Sequence, residues 1–303
     1  MYRVALTVIV FIGIIFLTQC RREQSYLRKN DNGEESRRGA FIPKYLKATA
    51  EFQDFEKLAK RHKFLKNITD DLNGKLALPR NITVALGPLR DTNAFYDNRT
   101  RTITLSYEIL QEIDSIDFEG GQPEQMEAAT CTILSVVYHE VGHALMDILG
   151  LHRQANVEDM ADRFSTWLMT VSSRSDRAKY FTQYLNSRDV MYNETSLHDP
   201  HLLNKQRRYT TLCLVYGSNA KKYRHMVGGD LLPDERAKTC PAEWEGVDRY
   251  WKEELKGYLK DNLRISFRRK YRFERETNGN QSNERAGSEA KTREVTPERP
   301  EMQ

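Results

Sequence analysis

The sequence predicts an α+β fold, mostly helical, with a small antiparallel sheet. Three observations carry this. Apolar residues recur at helical spacing over 44–75 and over most of the chain from about 123 to 262. Only a short region between Ile82 and Leu105 alternates with the period of two that suits strands. Gly, Pro and Asn mark the breaks between these stretches. With 39% hydrophobic and 30% charged residues in 303, the chain can bury one large core.

The first twenty residues read as a targeting segment. Arg3 precedes an apolar run from Val4 to Leu17. That run is short for a membrane span of about 20 residues, and right for the core of a signal peptide. It ends at Leu17-Thr18-Gln19-Cys20, which resembles a bacterial lipobox; Gln19 stands where a small residue is usual. Lipidation of Cys20 is expected, with ordinary secretion or an uncleaved anchor as alternatives. Each puts the bulk of the chain outside the cytoplasm. The leading reading places it in the cell envelope, held to the membrane by a lipid and facing the periplasm or the exterior. Residues 21–40 read as a charged tether, 41–274 as the folded domain and 275–303 as a disordered tail poor in aromatic residues.

Within the domain, residues 44–75 read as one or two helices, with Leu46, Phe52, Phe55, Leu58 and Leu65 along one stripe. Pro79 and the Ile82-Val84-Leu86 alternation predict a strand. Asn93–Asp97 and Arg101–Leu105 predict a hairpin around Asn98-Arg99-Thr100, and a helix begins at Ser106. Gly120-Gly121 breaks it. Pro123, a residue suited to a first helical turn, opens a helix to about 149 that Gly150 ends. Another helix follows from about 156 to 174.

The net charge of +4 is small, and Arg207-Arg208, Lys221-Lys222 and Arg268-Arg269-Lys270 read as solvated surface. No nucleic-acid partner is expected. Of four cysteines, Cys213 and Cys240 flank a loop-rich segment and are expected to pair in an oxidising compartment. Cys131 is expected to be free, as a small core residue. Five N-x-S/T triplets, at Asn67, Asn81, Asn98, Asn193 and Asn280, would matter only in a eukaryotic secretory route.

The chemistry lies in the helix from 123. Val137 to Leu145 contains H-E-x-x-H, and residues four apart share a helix face. His139 and His143 can therefore offer two imidazoles to one Zn2+, with Glu140 beside them as the base that holds a water. A catalytic zinc takes three protein ligands and keeps one position open. The third should come from the next helix, folded back. Glu158 and Asp162, four apart at its start, share a face. Glu158 is assigned to the metal, and Asp162 to the free N–H of a ligand histidine. The reverse assignment stays open, and Asp147 is a further acceptor candidate. By themselves these acids would be read as charges favouring a helix N-terminus. Glu140 would take the water proton and pass it to the leaving amine. His198, His201, Tyr209 and Tyr96 are the candidate donors to a tetrahedral oxyanion.

Several blocks in order resemble a bacterial metallopeptidase family built around a domain of unknown function. They are N-A-F-Y-D (Asn93–Asp97), I-T-L-S-Y-E (Ile103–Glu108), Y-H-E-V-G-H-A-L (Tyr138–Leu145), E-D-M-A-D (Glu158–Asp162), D-P-H-L-L-N-K-Q-R-R-Y (Asp199–Tyr209), C-L-V-Y-G (Cys213–Gly217) and P-D-E-R-A-K-T-C-P-A-E-W (Pro233–Trp244). They cover about 75–255. The resemblance implies a zincin-like, gluzincin-type domain with His139, His143 and Glu158 on zinc and Glu140 catalytic. It also makes His201 the favoured donor and the Cys213–Cys240 pair a recurring feature. The family often carries cysteines near the positions of Leu89 and Ser106, joining two strands; both are absent here. The implied function is zinc-dependent hydrolysis of a peptide or protein substrate at the cell envelope. The rival is a zinc-binding envelope lipoprotein that cleaves nothing and serves as an adhesin or assembly factor. The N-A-F-Y-D strand would offer a sheet edge to substrate backbone, or be an ordinary structural strand with Phe95 in the core.

Overall fold

The computed structural model describes residues 39–89, 93–118, 121–151, 156–192, 204–228, 231–260 and 263. The leader with Cys20, most of the tether, His198, His201 and the 275–303 tail lie outside the described residues. The chain divides into two units, Met1–Lys260 and Asp261–Gln303, and every element below belongs to the first.

Strand β1 (Phe41–Tyr45) is followed by helices α1 (Gln53–Arg61) and α2 (Phe64–Lys75), strand β2 (Ile82–Gly87), and the hairpin of β3 (Ala94–Asp97) and β4 (Thr102–Ser106). The sheet order is β1-β2-β4-β3. The expected antiparallel sheet is in fact mixed. Phe41 pairs with Ile82 and Thr83 with Thr102 in parallel register, and only β3 and β4 run antiparallel, with Phe95 opposite Thr104. The reason is the connection. Parallel neighbours need a long crossover, and the helix pair α1–α2 supplies it between β1 and β2. The helix expected from 44 begins only at Gln53, after a turn of 3-10 helix at Ala50–Phe52. Pro43 and Lys44 conceal β1 in the sequence. Proline is tolerated because β1 is an edge strand.

Helix α3 (Tyr107–Ser115) leaves β4 directly. The Ser106 hydroxyl caps it, accepting the Ile109 N–H at 2.9 Å, and also accepts the Asn93 N–H at 3.2 Å. One hydroxyl thus ties the start of α3 to the start of the hairpin at Asn93. Helix α4 (Gln122–Ile148) has 27 residues, a length of about 40 Å. It packs on β3 and β4 on one side, and on α5 (Val157–Val171) and α6 (Ala178–Tyr192) on others. Helices α7 (Asn204–Ser218), α8 (Asp234–Ala237) and α9 (Cys240–Glu254) complete the helical layer.

The expected disulfide is present, Cys213 on α7 to Cys240 at the start of α9. Gly217 makes their close approach possible, because a Cβ there would sit 2.2 Å from the Cys240 carbonyl oxygen. Cys131 is free and buried in α4, also as expected. Below α4, Asp71 accepts the Tyr138 hydroxyl at 2.5 Å and the Arg174 Nη2 at 2.9 Å, and is ion-paired to Lys75. On the far side of α5, the Trp167 indole N–H donates to Asp248 of α9 at 3.0 Å. Polar bonds thus tie the two central helices to their neighbours at buried points, where each is worth more than at the surface.

Candidate metal centre

Helix α4 carries His139, Glu140 and His143 near its C-terminal end. Gly150, at φ +69°, lets the chain leave α4 in a left-handed turn. Asn156 then starts α5, its side chain accepting the Asp159 N–H at 3.1 Å. This puts Glu158 in the first turn of α5 and Asp162 one turn later. The two helices meet closely because Gly142 faces Ala161. A Cβ on Gly142 would stand 3.0 Å from the Ala161 Cα. Glu158 and Asp162 flank Ala161 in sequence, so this contact between small residues brings both carboxylates within reach of the imidazoles.

The His139 Nε2 and His143 Nε2 atoms are 3.1 Å apart. Glu158 Oε2 lies 3.2 Å from the first and 3.3 Å from the second. A tetrahedral zinc with bonds of about 2.0–2.1 Å places its ligand atoms about 3.3–3.4 Å apart. The three atoms therefore form one face of such a tetrahedron without rearrangement, and the residues fit the ion. Among the described residues this is the one cluster of three such donors. Its exposure is uneven. The His139 side chain is 4% exposed, whereas His143 and Glu158 are 19% and 18% exposed. The centre is closed behind His139 and open beside the other two.

Asp162 does not touch the donor triangle. Its Oδ1 accepts the His139 Nδ1–H at 2.8 Å, which leaves the Nε2 lone pair for a metal. Asp162 is thus outside the cluster of three donors, and it stands behind His139. Burial alone would raise Asp162, but Arg207 and His139 hold it well below the usual carboxylate range. Burial works against charge on the His139 ring as well. Asp162 outweighs it, with Glu158 and Glu140 adding, and lifts the ring to about 9. Glu140 is 6% exposed and has no hydrogen-bond partner among the described residues.

Arg207 was not found from the sequence, where it counted as part of a surface cluster. In the structure it grips Asp162 with two hydrogen bonds of 2.7 Å. No local signal marked it: Thr210 to Val215 are buried in succession, so helical spacing singles out Arg208 as readily as Arg207. Of the other candidate donors, Tyr96 and Tyr209 are among the described residues, and they stand on different elements. Tyr96 on β3 gives its hydroxyl proton to Asp147 of α4 at 2.7 Å, so it has none to offer an oxyanion. Tyr209 lines a polar cavity of about 510 Å³ with Asn156, Asp159, Arg163 and Arg236, to which none of the three metal donors contributes.

A donor triangle with one open side and a buried acid next to it is the arrangement that metal-dependent hydrolases use. The comparison with protein families agrees: the chain belongs to the family described as "Putative metallopeptidase" (DUF4344), whose model matches residues 45–255. No curated protein and no solved structure matches the chain.

Proposed function

We propose that this chain is a zinc-dependent peptidase of gluzincin type that acts outside the cytoplasm, tethered by a lipid on Cys20. The observation that carries the reading is the His139–His143–Glu158 triangle at tetrahedral spacing, with Glu140 buried beside it. Nitrogen and carboxylate donors of this kind, three in number, suit a catalytic zinc. Bound there, the ion supplies a Lewis acid that polarises a carbonyl and acidifies water.

The protein's own groups do the rest. Glu140 takes a proton from the attacking water and delivers it to the leaving amine. Asp162 fixes the tautomer of His139. His201 is the proposed donor to the oxyanion. Substrate adds as a further strand along the outer edge of β3, through backbone hydrogen bonds. Two features support that placement. β3 ends the sheet. The Tyr96–Asp147 bond also pins it to α4 at the residue one helical turn past His143, on the same face.

The test compares the full chain with Glu140→Gln for bound zinc and for cleavage of a diverse peptide library. Both should hold zinc, and only the wild type should cut. If both hold zinc and neither cuts, the chain is a metal-binding envelope protein and not a peptidase. The mass of the mature N-terminus reads the lipid on Cys20 separately.

A further inference from the structure

We infer that Arg207 is a positioning residue of the metal centre: its guanidinium locks the Asp162 carboxylate in the one orientation that aims His139 at the metal. This rests on the metal site described above. The geometry is specific. Asp162 Oδ1 receives both His139 Nδ1, at 2.8 Å, and Arg207 Nη2, at 2.7 Å, while Oδ2 receives Arg207 Nε at 2.7 Å. A carboxylate held by both prongs of a planar fork cannot rotate without losing one of them. His139 is therefore oriented by an acid that is itself oriented, and the guanidinium comes from α7, 45 residues downstream.

Arg207 is itself held firmly. Its side chain is 12% exposed, and the Phe181 ring of α6 lies under the guanidinium at 5.5 Å. Burying an arginine is costly unless it is paired and hydrogen-bonded. Here the fork is matched in geometry and the flat face is stacked. Lysine, a point charge on a flexible stem, would keep the attraction and lose the fork. A clamp that only joined α7 to α5 would not care which acid oriented the histidine. A positioning role requires that the effect of Arg207 on the metal pass through Asp162.

The experiment measures zinc affinity of the full chain by competition with a chromophoric chelator. The proteins are wild type, Arg207→Gln, Arg207→Lys, Asp162→Asn and the double variant Arg207→Gln/Asp162→Asn. Partners of ligand histidines typically hold affinity by about 10–100-fold, and Arg207→Gln should lose an amount in that range. Arg207→Lys should fall between it and the wild type. In the Asp162→Asn background, Arg207→Gln should add no more than about twofold, the scatter of independent sites. Wild-type affinity in Arg207→Gln overturns the inference, and so does an undiminished loss in the Asp162→Asn background. If Arg207→Gln does not fold, the lysine variant decides, and unchanged affinity in it overturns the inference. Failure of the wild type to bind zinc at all appears before any variant is read. It removes the metal site itself, and this inference with it.

Discussion

Asp71 and Asp162 bracket the motif helix at consecutive residues. Tyr138 donates to Asp71 on one side, and His139 donates to Asp162 on the other, each acid backed by an arginine. Burial alone would raise the Asp71 carboxyl, but Lys75 and Arg174 hold it well below the ordinary value. A group with a lowered folded pKa stabilises the protein above its unfolded pKa, about 3.9 for Asp. That contribution disappears as pH falls through the folded value. Asp71→Asn should cost about 3–5 kcal/mol at neutral pH, because Arg174 and Lys75 stay buried with less to pair with. Denaturant titrations should show the gap to wild type narrowing below pH about 4; a gap that stays constant into acid would contradict it. For Glu140→Gln the expected loss is about 10²–10⁴ in kcat, with zinc content unchanged.

At the scale of elements, the α4–α5 contact governs the site. Gly142→Ala would push a methyl against Ala161 and Phe164, whose Cβ atoms are each 3.3 Å from the added carbon. Overpacking of this kind costs about 1–3 kcal/mol. Because Glu158 and Asp162 ride on the helix being displaced, zinc affinity should fall together with thermal stability. A variant that loses stability and keeps its affinity would show that the spacing is looser than described. The same two helices were the most legible part of the chain. Long segments with apolar residues at period 3.6 leave little ambiguity, and α4 and α5 lie close to the sequence expectation. The convergence of His139, His143 and Glu158 was legible because metal ligation demands particular residues at particular spacings. β1 was not, since Pro43 interrupts its pattern. Nor was the parallel pairing of the sheet, which depends on where a crossover carries the chain. Arg207 was illegible for a related reason. Nothing local distinguishes it from Arg208 beside it, and its role depends on an acid brought near only by folding.

In the molecule as a whole, the disulfide closes a loop with a sequence separation of 27. Loop-closure entropy of that length is worth about 3.5 kcal/mol. Cys213→Ser/Cys240→Ser should lower the thermal midpoint accordingly, read by calorimetry, and reductant should then change nothing further. Cys131 should stay silent towards alkylation in the native state, since burial pushes its thiol up to about 12. Peptide mapping after iodoacetamide, before and after unfolding, would reveal any modification at that position. The family match spans 45–255, so it covers strands β2 to β4, the metal centre and the disulfide, and only the last residue of β1.

The two margins of the sheet are unequal. At β1, Pro43 removes a donor in the middle of a five-residue strand, so an incoming chain cannot build an unbroken ladder there. At β3 no proline interrupts Ala94–Asp97, although the Ala94 N–H is already given to the Asn93 side chain at 2.8 Å. Growth of strands from molecule to molecule needs two receptive margins, and this sheet has one. Among the described strands, pairing between copies through this sheet would therefore stop at two molecules.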